Sequence, residues 1–171
     1  AQTCTNCPPG SFSNTTGATQ CTPCGQGKVQ SQQGQSACDA CLAGSYMSSS
    51  GQTLCTPCQS GKFNVVNGSQ ICNDCGQAHF QASPGKTHCD PCGVGTATTA
   101  TGASACSKCS PGTATNLTTQ LTCGGCAKGA YQNLAGQTGC LPCRHGEANA
   151  ANGQSACAGC SPVSERHCDR F

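Results

Sequence analysis

Thiols are the only reactive side chains this sequence supplies in quantity: 21 of its 171 residues are Cys, and 20 of them stand in C-x2-C pairs. Three chemistries use such pairs. A zinc tetrathiolate fits the C-x2-C-x13-C-x2-C spacing, and ten pairs would make five fingers. Fingers, however, would alternate ligand loop and linker every 34 residues, whereas all nine segments between pairs are alike. A thioredoxin-like dithiol needs a βαβ setting, and no helical periodicity is present. Structural cross-linking is the chemistry that remains. It also answers a physical need. Trp is absent, Phe and Tyr total six, and large aliphatics are few, so burial cannot offset an ordering entropy of about 1–2 kcal/mol per backbone residue. Disulfides persist in oxidising compartments.

Other chemistry is sparse. His79, His88, His145 and His167 occupy different places in the sequence pattern and read as surface residues. The six acids are too dispersed for a calcium site, although Asp39, Asp74 and Asp90 lie inside C-x2-C links. No carboxylate pair, nucleophile with a base, or phosphate loop is present. We expect no enzyme, no cofactor and no metal. A net charge of +2 with 8% charged residues excludes a nucleic-acid footprint. No stretch approaches the ~20 apolar residues of a membrane span. Three sequons, at Asn14, Asn67 and Asn116, fall midway between C-x2-C pairs, where a loop tip is expected; they predict N-linked glycan, and the many Ser and Thr residues offer O-linked positions. Ala1 reads as a mature terminus or the start of a fragment.

The elements that place these groups follow one period. The first cysteines of the pairs stand at Cys4, Cys21, Cys38, Cys55, Cys72, Cys89, Cys106, Cys123, Cys140 and Cys157, a step of 17 residues without insertion or deletion. Such regularity predicts a one-dimensional repeat architecture in which each unit leans on its neighbours. With that first cysteine as position 1, position 7 is Gly in eight copies and Ala78 or Val163 in the others. Position 14 is Gly in eight of nine complete copies, Thr119 being the exception. Glycine at fixed offsets marks positive φ or close backbone approach. Position 9 carries Phe12, Val29, Tyr46, Phe63, Phe80 and Tyr131, with Ala97, Ala114 and Ala148 in the remaining copies. It is expected to pack on a disulfide.

A repeat uses the same bond each time, and three schemes respect the period. Bonding within a C-x2-C makes a strained ring. Joining position 1 to position 4 of the next repeat makes overlapping loops. Joining position 4 to the next position 1 encloses the whole Gly-aromatic-Gly segment, and it is the scheme favoured here: Cys7–Cys21, Cys24–Cys38, Cys41–Cys55, Cys58–Cys72, Cys75–Cys89, Cys92–Cys106, Cys109–Cys123, Cys126–Cys140 and Cys143–Cys157. The scheme leaves Cys4, Cys160 and Cys168 over: either Cys160 bonds Cys168 as a C-terminal cap and Cys4 stays odd, or Cys4 reaches outside the chain to position 4 of a preceding repeat. The motif C-x2-G-x-[FY]-x4-G-x3-C resembles the last cysteine loop of EGF modules, which is closed in the same way. More closely, residues 4–160 resemble the ephrin-receptor-like cysteine-rich repeats, relatives in style of tumour-necrosis-factor-receptor modules. The resemblance implies a structural class found in receptors, adhesion proteins and large surface proteins.

These readings give a small disulfide-rich, mostly β or irregular fold: an elongated solenoid-like rod of ten 17-residue repeats over residues 4–160, with a cap or attachment segment over 161–171. The expected role is an extracellular structural glycoprotein, a rod-like subunit or segment of a surface filament, stalk or coat, assembling head-to-tail or continuing into neighbouring repeats of a longer chain. The rival is a receptor or adhesion ectodomain that binds a protein ligand.

Overall fold

The computed structural model describes residues 6–160. Their secondary structure is a series of two-residue antiparallel strand pairs with no helix. The described residues fall into two compact units whose segments interleave along the chain. The first takes residues up to Cys75, then Gln81–Cys89 and Gly102–Ser104; the second takes Gly76–Phe80, Asp90–Thr101 and the residues from Ala105 on.

Each repeat begins with a turn that its sequence dictates. In Pro8-Pro9-Gly10-Ser11, the Ser11 N–H donates to the Pro8 carbonyl and Gly10 has φ +84°. A four-residue turn with positive φ at its third residue has the type II pattern, which asks for glycine there and favours proline just before it. The same bond recurs at Lys28, Ser45 and Lys62 in the first unit and at His79, Thr96, Thr113, Ala130 and Glu147 in the second. Where position 8 is Ser or Thr, its hydroxyl donates to the same carbonyl, as Ser45 does to Leu42 and Thr96 to Gly93.

The turn launches a short hairpin. In the first unit β1 (Ser11–Phe12) pairs with β2 (Thr22–Pro23), β3 (Lys28–Val29) with β4 (Asp39–Ala40), β5 (Ser45–Tyr46) with β6 (Thr56–Pro57), and β7 (Lys62–Phe63) with β8 (Asn73–Asp74). The second unit holds β9 (His79–Phe80) with β10 (Asp90–Pro91), β11 (Thr96–Ala97) with β12 (Ser107–Lys108), and β13 (Thr113–Ala114) with β14 (Gly124–Gly125). It also pairs β15 (Ala130–Tyr131) with β16 (Leu141–Pro142) and β17 (Glu147–Ala148) with β18 (Ala158–Gly159). In every pair positions 8 and 9 face positions 3 and 2 of the next repeat. Proline is therefore tolerated at position 3, in a strand that has one partner and an open edge.

Successive repeats are then joined by a fixed set of backbone bonds. In the first unit, Gly27 N–H donates to Met47 O, Gln30 N–H to Gln52 O, and Gly51 N–H back to Cys24 O, at 2.8, 3.1 and 2.7 Å. In the second, Gly112 donates to Gln132, Thr115 to Gln137 and Gly136 to Cys109, at 2.6, 3.3 and 2.8 Å. These bonds depend on the backbone alone, so a chain with few large side chains still stacks. Contacts also reach beyond the adjacent repeat. A Cβ added at Gly10 would overlap the carbonyl oxygen of Gly51, two repeats on, and one at Gly95 would overlap that of Gly136. Each repeat thus leans on its second neighbour as well as its first, which the period alone does not reveal.

Candidate functional site: disulfide rungs, buried amides and the exposed sequons

The structure brings the cysteines together in nine disulfides. The first unit holds Cys7–Cys21, Cys24–Cys38, Cys41–Cys55, Cys58–Cys72 and Cys75–Cys89. The second holds Cys92–Cys106, Cys109–Cys123, Cys126–Cys140 and Cys143–Cys157. Each joins position 4 to the next position 1 across a Cα–Cα distance of 5.6–5.7 Å, near the middle of the range a relaxed bridge spans. The two ends of each bridge are unlike. Cys24, Cys41, Cys58, Cys75 and Cys92 are fully buried, while their position-1 partners are half-buried. Cys160 is also disulfide-bonded; its expected partner Cys168, like Cys4 and the cap segment, lies outside the described residues. No thiolate is left among the described cysteines to serve as a metal ligand or nucleophile.

The buried surface differs from the expected one. The position-9 side chains are half-buried, with only Ala97 fully covered. The interior is lined instead by the position-4 cysteines, the position-7 turn residues and a column at position 10: Gln30, Met47, Asn64, Gln81, Thr115, Gln132 and Asn149. This column was open to sequence reading, because position 10 carries an amide or a hydroxyl in eight of nine copies. Its polarity is not the usual mark of an interior position.

The amides are buried because they replace missing backbone partners. Gln30 Oε1 accepts the Gln32 N–H and its Nε2 donates to Ala37 O; Gln81 bridges Ser83 N–H and His88 O in the same way, and Gln132 bridges Leu134 N–H and Gly139 O. Gln reaches along its own loop. The shorter Asn reaches back one repeat: Asn64 Nδ2 donates to Ser45 O and Asn149 Nδ2 to Ala130 O. Among the described residues no buried side-chain nitrogen or oxygen lacks a partner, as a polar interior requires.

Two positions break the glycine rule. Among the described residues Ala78 and Thr119 are the non-glycine residues with positive φ, each at 59°, against 72–86° for the position-7 glycines and 67–79° for those at position 14. They are 41 residues apart, the same separation as Gly10 and Gly51 or Gly95 and Gly136. The two exceptions therefore occupy the pair of positions that meet in the glycine copies.

The surface carries the remaining candidates. Asn14, Asn67 and Asn116 are all exposed. Asn14 Oδ1 accepts the Thr15 hydroxyl and Asn67 Oδ1 accepts the Ala43 N–H. His79 Nδ1 lies against Gln77 O, His88 and His145 are exposed, and His167 is outside the described residues. Among the described residues no three His, Cys, Asp or Glu side chains converge as a metal set, and no helix is long and apolar enough to cross a membrane. Asp74 pairs with Lys62 across β7 and β8. Large aliphatics face solvent: Leu42, Leu54, Val65, Val66 and Ile71 in the first unit, and Val94, Leu117, Leu121, Leu134 and Leu141 in the second. No protein-family model matches the chain, and no curated protein matches it. It is a cysteine-rich tandem-repeat protein. That description rests on its own 17-residue units, each closed by one disulfide.

Proposed function

We propose that the protein is an extracellular structural glycoprotein, a rod-like segment of a surface filament, stalk or coat. The observation that carries this reading is the repeat-to-repeat joint, in which the same three backbone bonds recur beside one disulfide per repeat. A joint made of backbone and cross-links tolerates free variation of surface residues and resists unfolding under load, as a scaffold needs. A cross-link density of this kind belongs to oxidising, extracellular settings. Exposure of all three sequon asparagines suits N-linked glycan, which would keep a weakly charged surface soluble, and O-linked sugar on the Ser and Thr residues would add to this. Closure from position 4 to the next position 1 is the EGF-style closure, and it supports kinship with the ephrin-receptor-like repeats. Cys4 is assigned to a preceding repeat, of this or another chain, in head-to-tail continuation.

The test is surface labelling of intact cells together with non-reducing electrophoresis. A surface signal with multimers that collapse on reduction, and that disappear in Cys4→Ser, is expected for the filament. An intracellular signal with reactive thiols throughout overturns the reading. A second reading, a receptor or adhesion ectodomain, is favoured by one observation: of eleven described Leu, Ile and Val residues, all but Val29 are exposed. That much apolar surface is available to a protein partner. It predicts a surface-localised monomer whose partner binding is lost when Leu54 and Ile71 are changed to Ser.

A further inference from the structure

Every C-x2-C link except one carries at least one side chain; the exception is Gly124–Gly125, the strand β14. Above the missing side chains lies an open groove of about 430 Å³, lined by Gly124 and Gly125, Leu117, Thr122, Thr138 and the sequon residue Asn116. Asn116 is exposed, and among the described residues no hydrogen bond holds its side chain, in contrast to those of Asn14 and Asn67. We propose that the groove is a carbohydrate site, occupied in cis by the first N-acetylglucosamine of a glycan on Asn116. This rests on the glycoprotein reading above.

The chemistry of the lining suits a sugar. A pyranose ring presents apolar C–H faces, which the glycine floor and the 59%-exposed Leu117 side chain would cover. Its hydroxyl and acetamido groups hydrogen-bond, and the hydroxyls of Thr122 and Thr138 line the same groove. Because Asn116 is itself part of the wall, the attached sugar starts inside the site, and the translational cost of bringing a free ligand there does not arise. The groove is also fillable. A Cβ at Gly124 would meet Ala114 O, part of the groove wall, at 3.6 Å, an ordinary contact. Thr-Pro stands in the same link at Thr22–Pro23 and Thr56–Pro57.

The experiment is hydrogen exchange at residues 124–127 of the full-length secreted protein, with occupancy of Asn116 measured by mass spectrometry. Three forms are compared: the intact glycan, the single sugar left by an endoglycosidase, and the Asn116→Gln variant. The intact and single-sugar forms should exchange about tenfold more slowly than Asn116→Gln. In Gly124→Thr, whose side chain occupies the groove and leaves the sequon intact, the difference between glycosylated and bare protein should vanish. An occupied Asn116 with equal exchange in all three forms overturns the carbohydrate site and leaves the glycoprotein reading standing. An unoccupied Asn116 overturns the site as well, and sugar missing from Asn14 and Asn67 too would overturn the glycoprotein reading with it.

Discussion

Among single residues, the fold is governed by backbone conformations that side chains rarely adopt and by amides that stand in for a core. Gly27 has φ +76°, and a Cβ there would overlap the carbonyl oxygen of Gly68. Gly27→Ala therefore combines a left-handed penalty of about 1–2 kcal/mol with a steric clash, and thermal denaturation should register a loss at the upper end of that range or beyond. Ala78 and Thr119 supply the converse. Changing either to Gly should stabilise the protein by about 1 kcal/mol, and because they hold positions that meet in the glycine copies the double variant should deviate from additivity by about 0.5 kcal/mol or more. A double-mutant cycle measures this; strict additivity would separate the two sites. Asn64 is fully buried and bridges Val66 N–H and Ser45 O. Asn64→Ala should cost about 1–3 kcal/mol, since it removes two hydrogen bonds to part-buried backbone groups, whereas Val66→Ser, on an exposed side chain, should be near neutral. The glycine positions were legible in the sequence, because a Gly repeated at one offset points to a demand of the backbone and to little else. The pairing of Ala78 with Thr119 was not, because their separation is two periods plus seven residues, a distance that only the coiling of the chain makes meaningful.

Among the elements, the unit is a two-residue hairpin closed by a disulfide. A hairpin of this length is not stable by itself in water, so the cross-link and the bonds to adjacent repeats must hold it. Removing one bridge in the middle of the first unit, as in Cys58→Ala/Cys72→Ala, opens a 14-residue separation. It should lower stability by about 3 kcal/mol, measured by denaturant titration against the parent. The turn was readable from Pro-Pro-Gly-Ser and its relatives, and short strands were expected from the absence of a helical period. The polar column at position 10 was the part of the interior that the sequence did not announce. The aromatic position-9 side chains are half-buried, and the interior is taken by the position-4 cysteines, small turn residues and the position-10 column. Sequence reading weighs hydrophobicity first, and here the interior is polar, held by side chains such as Gln81 and Gln132 that complete the hydrogen bonding of their own loops.

Within each unit one covalent and one hydrogen-bonded joint are repeated from repeat to repeat. The strict 17-residue step follows from the structure: inserting one residue would break the three repeat-to-repeat bonds at that step and misplace the contact two repeats away. A one-residue glycine insertion after Val66 should accordingly destabilise the protein far more than Val66→Ser does, despite its place on an exposed loop. Function was less legible than fold, because a chain that makes its joints from backbone leaves its surface residues little constrained, and surface residues are what name a partner. The decisive measurement for this architecture is disulfide mapping by mass spectrometry on unreduced, thiol-blocked protein. Cross-linked peptides should join Cys24 to Cys38, Cys58 to Cys72, Cys109 to Cys123 and their equivalents, each position 4 to the next position 1. Bridges within the C-x2-C pairs, overlapping bridges from position 1 to the next position 4, or blocked thiols throughout would contradict it.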